Sequence, residues 1–265
     1  MNLDALDLRY RLILCDIWGV VHDGVTVDPR ATKRLLEWKA QGRTIVLITN
    51  APRTAEAVEA QLDRLSLPRS AWDGVATSGE AGIAALSKLS RPPGFLGTAD
   101  DRKILEGRGI ILAAEGFTDV ACTGLDERRA HVDAYAADLE SWARDDILMH
   151  CLNPDRLVIR GGVPEPCAGA LADAYEMLGG RVAWYGKPHE AIYTHAFHLA
   201  GNPPRDQIVA IGDGLSTDVL GAARQGIDCI FVTGGIHAGA PFPPDFASTY
   251  GLGDWSPVGI VEHLG

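Results

Sequence analysis

The run Leu12-Ile13-Leu14-Cys15 ends on Asp16 and opens at once into a turn, Ile17-Trp18-Gly19-Val20-Val21-His22-Asp23-Gly24. A short apolar segment closed by a carboxylate and followed by glycine reads as a buried strand. A carboxylate at the carboxyl end of such a strand stands where open α/β sheets bind their ligands. Taken alone, an aspartate there is more often a turn or N-cap residue. The polar residues that close later apolar runs give Asp16 another reading.

Asp28-Pro29 has the form of an N-cap with proline at the first helical position, and the helix runs to about Gln41, where Gly42 ends it. Thr44 to Ile48 is a second apolar strand, closing on Thr49-Asn50-Ala51-Pro52. Thr54 caps a helix to about Leu65, Val75-Ala76 predicts a third strand, and Ser78 caps a helix from Glu80 to Leu89. This alternation predicts a parallel sheet with right-handed crossovers. Near residue 90 the rhythm changes. Arg91-Pro92-Pro93-Gly94 breaks the chain, with apolar pieces beyond it at Phe95-Leu96, Ile110-Ile111-Leu112 and Val120-Ala121-Cys122-Thr123. A helix is expected from Glu127 to Arg144, and a strand at Ile147-Leu148-Met149 feeds Cys151-Leu152-Asn153-Pro154-Asp155. The first rhythm resumes with Val182 to Tyr185 before Gly186-Lys187-Pro188, then a helix from His189 to Leu199 and a strand from Gln207 to Ile211. That strand closes on Gly212-Asp213, a helix ends at Gly226, Ile227 to Val232 is another strand, and Val258 to His263 is expected to be a short helix. The fold class is α/β: a doubly wound parallel-sheet, Rossmann-like core at 1–79 plus 181–265, with an inserted α/β module at 80–180.

With 46% apolar and 22% charged residues, the 265-residue chain has enough apolar side chains for a real core. A net charge of -11 opposes nucleic-acid binding, which rests on basic groups neutralising phosphates. An acidic chain that binds phosphate needs a local positive group or a metal. The five cysteines are scattered without a CxxC pair, so zinc and disulfide readings are both poor. No apolar run approaches a membrane span, and Asp4 and Asp7 near the start are unlike a signal peptide, so a cytoplasmic protein is expected.

Four of the expected strand ends carry polar groups: Asp16, Thr49-Asn50, Gly186-Lys187-Pro188, and Asp213 with Asp218. Parallel, adjacent strands would gather all four at one sheet edge. Carboxylates with only oxygen ligands suit magnesium. Thr49 and Asn50 are candidate phosphate contacts, and Lys187 is a point charge for nucleophile and phosphate. Asp218, five residues past Asp213, would ligate through water or orient other groups. If Asp16 attacks phosphorus, an acyl phosphate splits one hard hydrolysis into two easier steps.

This ordered set resembles the haloacid dehalogenase superfamily of aspartate-nucleophile phosphohydrolases, over nearly the whole chain. Asp16 fits the first motif, Thr49 the second, Lys187 the third, and Gly212-Asp213-x-x-x-Thr217-Asp218 the fourth. An insert between the second and third motifs, with Asn153-Pro154-Asp155 and Gly186-Lys187-Pro188, is similar to subfamily IIA, the nitrophenylphosphatase and nucleotide-monophosphatase type. The resemblance implies Asp16 as nucleophile and magnesium held by Asp16, the Trp18 main-chain carbonyl and Asp213, with Asp218 in support. It also implies an α/β cap that selects a small phosphorylated metabolite, and a homodimer. Asn153 and Asp155 are candidate cap or specificity residues, and equally an Asx-Pro turn.

One position departs from the pattern. The family usually carries Asp-x-Asp in its first motif, and here the second Asp is Trp18. That Asp protonates the leaving group and later activates water, and indole does neither. Three accounts fit this departure: a slow or selective phosphatase using His22, Asp23 or a cap residue as acid, or a leaving group that needs no proton; a weakly active phosphate-ligand binding or regulatory module; or cleavage of a different bond. The phosphatase is favoured, because the phosphate and metal positions all survive. Trp18 itself reads as a platform for an aromatic or sugar group, or as a plug in the space left by Asp.

Overall fold

The computed structural model describes residues 1–160, 163–235 and 241–265. In chain order the first elements are β1 (Leu12–Asp16), α1 (Pro29–Ala40), β2 (Thr44–Thr49), α2 (Ala55–Arg64), β3 (Gly74–Thr77) and α3 (Ser78–Leu86). Next come β4 (Gly94–Leu96), α4 (Ala99–Gly107), β5 (Asp119–Cys122), α5 (Ala136–Arg144), β6 (Leu148–Cys151), β7 (Leu157–Arg160), β8 (Val163–Pro166), α6 (Ala168–Met177) and β9 (Arg181–Trp184). The chain closes with α7 (Glu190–Leu199), β10 (Ile208–Gly212), α8 (Leu220–Gln225), β11 (Asp228–Val232), α9 (Phe246–Thr249) and β12 (Gly259–Val261). Two compact units result: Met1–Thr49 with Ala55–Ala76 and Lys187–Gly265, and Asn50–Thr54 with Thr77–Gly186. Among the described residues no helix is long and apolar enough to cross a membrane.

The first unit is built on a six-stranded sheet in the order β12-β11-β10-β1-β2-β3. β1 lies between β10 and β2 and pairs with both in parallel. Every residue of β1 is buried, as a strand covered on both faces requires. Leu12 and Leu14 share one face with Val46, Ile48 and Ala210, against Tyr193 and Phe197 of α7. Ile13, Cys15, Ile45 and Leu47 alternate to the other face and are equally buried. Asp28 caps α1 by accepting the Arg30 N–H at 2.8 Å, with Pro29 at the first turn. Gly226 ends α8 in the left-handed conformation, at φ +65°.

The second unit has a four-stranded parallel sheet, β4-β5-β6-β9, and the antiparallel hairpin β7-β8. Here several expectations are corrected. The strand at 181–184 joins this sheet and not the core sheet: Met149 pairs with Val182 and Cys151 with Trp184. An apolar run before a polar turn shows that a strand exists, but not which neighbour it pairs with. The helix expected from Glu127 begins only at Ala136. Upstream, Asp126 Oδ1 accepts the N–H groups of Arg128 and Arg129, and Tyr135 Oη accepts the Asp126 N–H. These local side-chain bonds compete with helix formation. Thr77, not Ser78, caps α3, accepting the Glu80 N–H at 2.9 Å, while Ser78 Oγ donates to the Leu152 carbonyl. The helix α4, capped by Thr98, has no counterpart among the expected helices. In the first unit, the segment expected as a helix from Val258 is the edge strand β12.

Candidate active site

Parallel register sets the geometry. Cys15 pairs with Ile211 and Asp16 with Ile48, so Asp16, Thr49 and Asp213 leave β1, β2 and β10 at the same edge. After β10 the chain takes a five-residue π-type turn at Leu215–Val219, with the N–H groups of Asp218 and Val219 both donating to the Gly214 carbonyl. The turn carries Asp218 back to the edge, where its Oδ2 accepts the Gly214 N–H at 3.1 Å and the Thr217 hydroxyl at 3.2 Å. Lys187 Nζ donates to Asp16 Oδ1 at 2.6 Å and to Asp218 Oδ1 at 2.7 Å. Carboxylate oxygens of Asp16, Asp213 and Asp218 lie within 4.8 Å of one another. All four side chains are buried, as are Thr49 and Asn50. Lys187 therefore stands among the core carboxylates although its preceding strand belongs to the other sheet.

Among the described residues, three carboxylates gather around the Lys187 ammonium in a buried place. Burial first, and then the charge of Asp218, push the Asp16 carboxyl well above the usual carboxylate range, against the pull of Lys187. Burial alone would favour a neutral amine at Lys187, but Asp16 and Asp218 outweigh it and hold the ammonium charged. Lys187→Met removes the partner of two buried carboxylates. Folding stability in chelator is expected to fall by about 3–5 kcal/mol, as read by chemical denaturation. Added magnesium is expected to recover part of that loss, because a cation that binds only the folded state stabilises it.

The donor set fits a hard divalent cation. Among the described residues it is three buried carboxylates, and the backbone closes on it. A Cβ at Gly19 would stand 2.0 Å from Asp213 Oδ2, and one at Gly235 would stand 1.8 Å from it. Only glycine lets two backbone segments approach the Asp213 carboxylate this closely. Small, oxygen-only sites of this kind suit magnesium.

The turn after Asp16 settles how Trp18 is placed. Its indole is 41% exposed, so it does not fill a buried space. It meets the His22 ring edge-on at 4.9 Å. His22 is buried, and its Nδ1 accepts the Gly24 N–H at 2.9 Å. Burial pulls this imidazole below its ordinary range, so it is neutral at neutral pH. The Asp23 carboxylate accepts the N–H groups of Thr26 and Val25, which hold it below the usual carboxylate range. A neutral imidazole and an ionised carboxylate are both poor proton donors.

The remaining sequence candidates lie in the second unit. Asn50 Nδ2 donates to Asp155 Oδ1 at 2.7 Å, and Asn153 Oδ1 accepts the Asp155 N–H at 3.2 Å. Asn153 thus makes the Asx turn, and Asp155 clamps Asn50. His150 is not among the sequence candidates. It is buried, with Nε2 2.9 Å from Asp119 Oδ1 and Nδ1 2.7 Å from the Tyr185 hydroxyl. Burial, with the charge of Asp119, pushes Tyr185 up to about 12. Nothing in the spacing of Asp119, His150 and Tyr185 signals this chain of bonds, which depends on β5, β6 and β9 being neighbours.

Two family profiles match the chain. Residues 13–111 match haloacid dehalogenase-like hydrolase, and residues 184–252 match HAD-hydrolase-like. The solved structure of a hydrolase of the haloacid dehalogenase-like family from Brucella suis 1330 is 34% identical, covers 100% of this chain and 99% of its own, and superposes with a TM-score of 0.86. The chain belongs to the haloacid dehalogenase-like hydrolase family. Among other members, the acid sugar phosphatase of Staphylococcus aureus strain USA300 is 24% identical over 235 residues, covering 86% of this chain and 88% of that protein. The 4-nitrophenylphosphatase of Thermotoga maritima is 22% identical, covers 97% of this chain and 95% of its own, and has a TM-score of 0.76, a likeness of fold.

Proposed function

We propose that this protein is a magnesium-dependent phosphohydrolase acting on a small phosphorylated metabolite through an aspartyl-phosphate on Asp16. The observation that carries this reading is the buried contact of Lys187 with both Asp16 and Asp218, beside Asp213, at the carboxyl edge of a parallel sheet. A haloacid dehalogenase-like fold and relatives named as phosphatases support it.

In this reading Asp16 is the nucleophile. One of its carboxylate oxygens forms a bond to phosphorus, while the bond from phosphorus to the leaving oxygen breaks and its electron pair stays on that oxygen. Water then attacks phosphorus, the bond to Asp16 breaks, and phosphate leaves with the carboxylate restored. Lys187 holds the attacking carboxylate in place and faces the developing negative charge with its own positive one. Thr49 is proposed to donate its hydroxyl to a phosphoryl oxygen. Asp16, Asp213, the Trp18 carbonyl and, indirectly, Asp218 would hold magnesium. Bound there, it would offset the charge of the phosphoryl oxygens. The second unit, inserted in the chain before Lys187, is proposed as the cap that selects the substrate, with Asn153 and Asp155 among its shaping residues.

Phosphate release from a panel of phosphate esters and acyl phosphates, with magnesium and with chelator, tests this reading. Turnover that chelator abolishes and magnesium restores is the expected result. Retained magnesium and phosphate binding without turnover across the panel would instead favour a ligand-binding or regulatory module.

A further inference from the structure

Trp18 is the exposed residue in an otherwise buried stretch. From Leu12 to Ile17 every residue is buried, as are Val20, Val21 and His22, while the indole stands 41% exposed. A large aromatic left in solvent, two residues from a nucleophile, calls for a reason.

The turn holds that indole in one orientation. Its ring lies against Gly24, where a Cβ would stand 2.5 Å from Cη2 and from Cζ3. Gly24 also has φ +94°, a conformation that suits glycine. The edge of the ring is braced by His22 at 4.9 Å and 71°. His22 is fixed in turn, its carbonyl accepting the Gly19 N–H at 2.9 Å and its Nδ1 the Gly24 N–H at 2.9 Å. Asp23 ties down the next residues through the N–H groups of Val25 at 2.9 Å and Thr26 at 2.7 Å. The indole is therefore covered on one side, braced at its edge, and exposed elsewhere. Two residues of chain span at most roughly 7 Å. A group bonded to a phosphate at Asp16 is therefore held in the neighbourhood of Trp18.

The same turn offers little help to a poor leaving group. The indole N–H does not titrate usefully. The His22 Nδ1 lone pair is committed to Gly24, and the Asp23 carboxylate is committed to the turn. A substrate suited to this arrangement carries its phosphate on an oxygen that departs as a stable anion, and its leaving group is flat and apolar enough to lie on indole.

Resting on the phosphohydrolase reading above, we propose that Trp18 is the specificity-determining residue of this site: its indole stacks the planar, conjugated leaving group of an aryl-type phosphate monoester, in place of donating a proton to an alkyl one. Binding energy at the ring and a good leaving group replace general acid catalysis. Aromatic stacking sets the scale of the first contribution, about tenfold in binding. The absent acid sets the scale of the second, about 10²- to 10⁴-fold against alkyl esters.

Three substrates separate the possibilities: phenyl phosphate, cyclohexyl phosphate and acetyl phosphate. The first two differ in planarity and leaving-group stability at similar size. The third has a good leaving group and no ring. The full-length protein with magnesium is expected to prefer phenyl over cyclohexyl phosphate by about 10²-fold or more. Trp18→Leu is expected to raise KM for phenyl phosphate and to lower the phenyl-to-acetyl ratio of kcat/KM by about tenfold. Gly24→Ala, which pushes the ring off its seat, is expected to act in the same direction, and Trp18→Phe to keep most of the ratio. An unchanged phenyl-to-acetyl ratio in both Trp18→Leu and Gly24→Ala overturns the proposal, as does equal turnover of cyclohexyl and phenyl phosphate. Acetyl phosphate tells this failure from that of the wider reading. Its magnesium-dependent hydrolysis without ring selectivity rejects the stacking role alone, whereas no turnover of any of the three rejects the phosphohydrolase as well.

Discussion

Asp16→Asn is expected to lower phosphate release by about 10⁴-fold or more, with the fold intact. The amide keeps the shape of the carboxylate and can still accept the Lys187 N–H, but it cannot form a stable bond to phosphorus. It also removes one negative charge from a buried group of three. Because burial and Asp218 already push the Asp16 carboxyl up, the neutral amide relieves that repulsion. The variant should thus be at least as resistant to denaturant as the parent in chelator. Loss of turnover together with retained stability distinguishes a nucleophile from a residue that merely holds the site together. A variant that keeps a tenth or more of the parent's turnover would remove Asp16 from the reaction.

Trp18→Asp is expected to raise turnover of alkyl phosphates by about 10²- to 10⁴-fold, the range that a positioned general acid supplies. The position already lies two residues past Asp16 on a turn fixed by the bonds of His22 and Asp23. Its side chain is exposed, so a carboxyl there can exchange protons with solvent. The proposed magnesium contact at this residue is a main-chain carbonyl, which the substitution keeps. Rates on cyclohexyl phosphate under saturating substrate measure the gain. No gain would mean that another residue already supplies the proton, or that a step other than chemistry limits the rate.

Where an element's signal is local, the sequence is legible. Asp28-Pro29 opens α1, Gly226 closes α8, and the apolar runs at 12–16, 44–49 and 208–212 form neighbouring parallel strands. Those strands place Asp16, Thr49 and Asp213 at one edge. Signals that depend on partners are lost. The run at 181–184 reads like another core strand, yet it pairs with β6, and only the chain beyond it brings Lys187 to Asp16. Residues 127–135 have a helical pattern, but Asp126 and Tyr135 bind the backbone there first. The approach of Gly19 and Gly235 to Asp213, and the seat of Trp18 on Gly24, each join segments whose closeness no spacing rule states. The bond from Asn50 to Asp155 likewise joins residues that no spacing rule brings together.

The most direct test of the central claim is chemical capture of Asp16 during turnover. The protein is mixed with phenyl or acetyl phosphate and magnesium, quenched, and treated with borohydride, which reduces an acyl phosphate to the alcohol. Peptide mass spectrometry then locates the change. The account predicts conversion of Asp16 to homoserine, dependent on substrate and magnesium and absent without either. Steady phosphate release with Asp16 unmodified would contradict it, and would point to direct attack of water on the substrate.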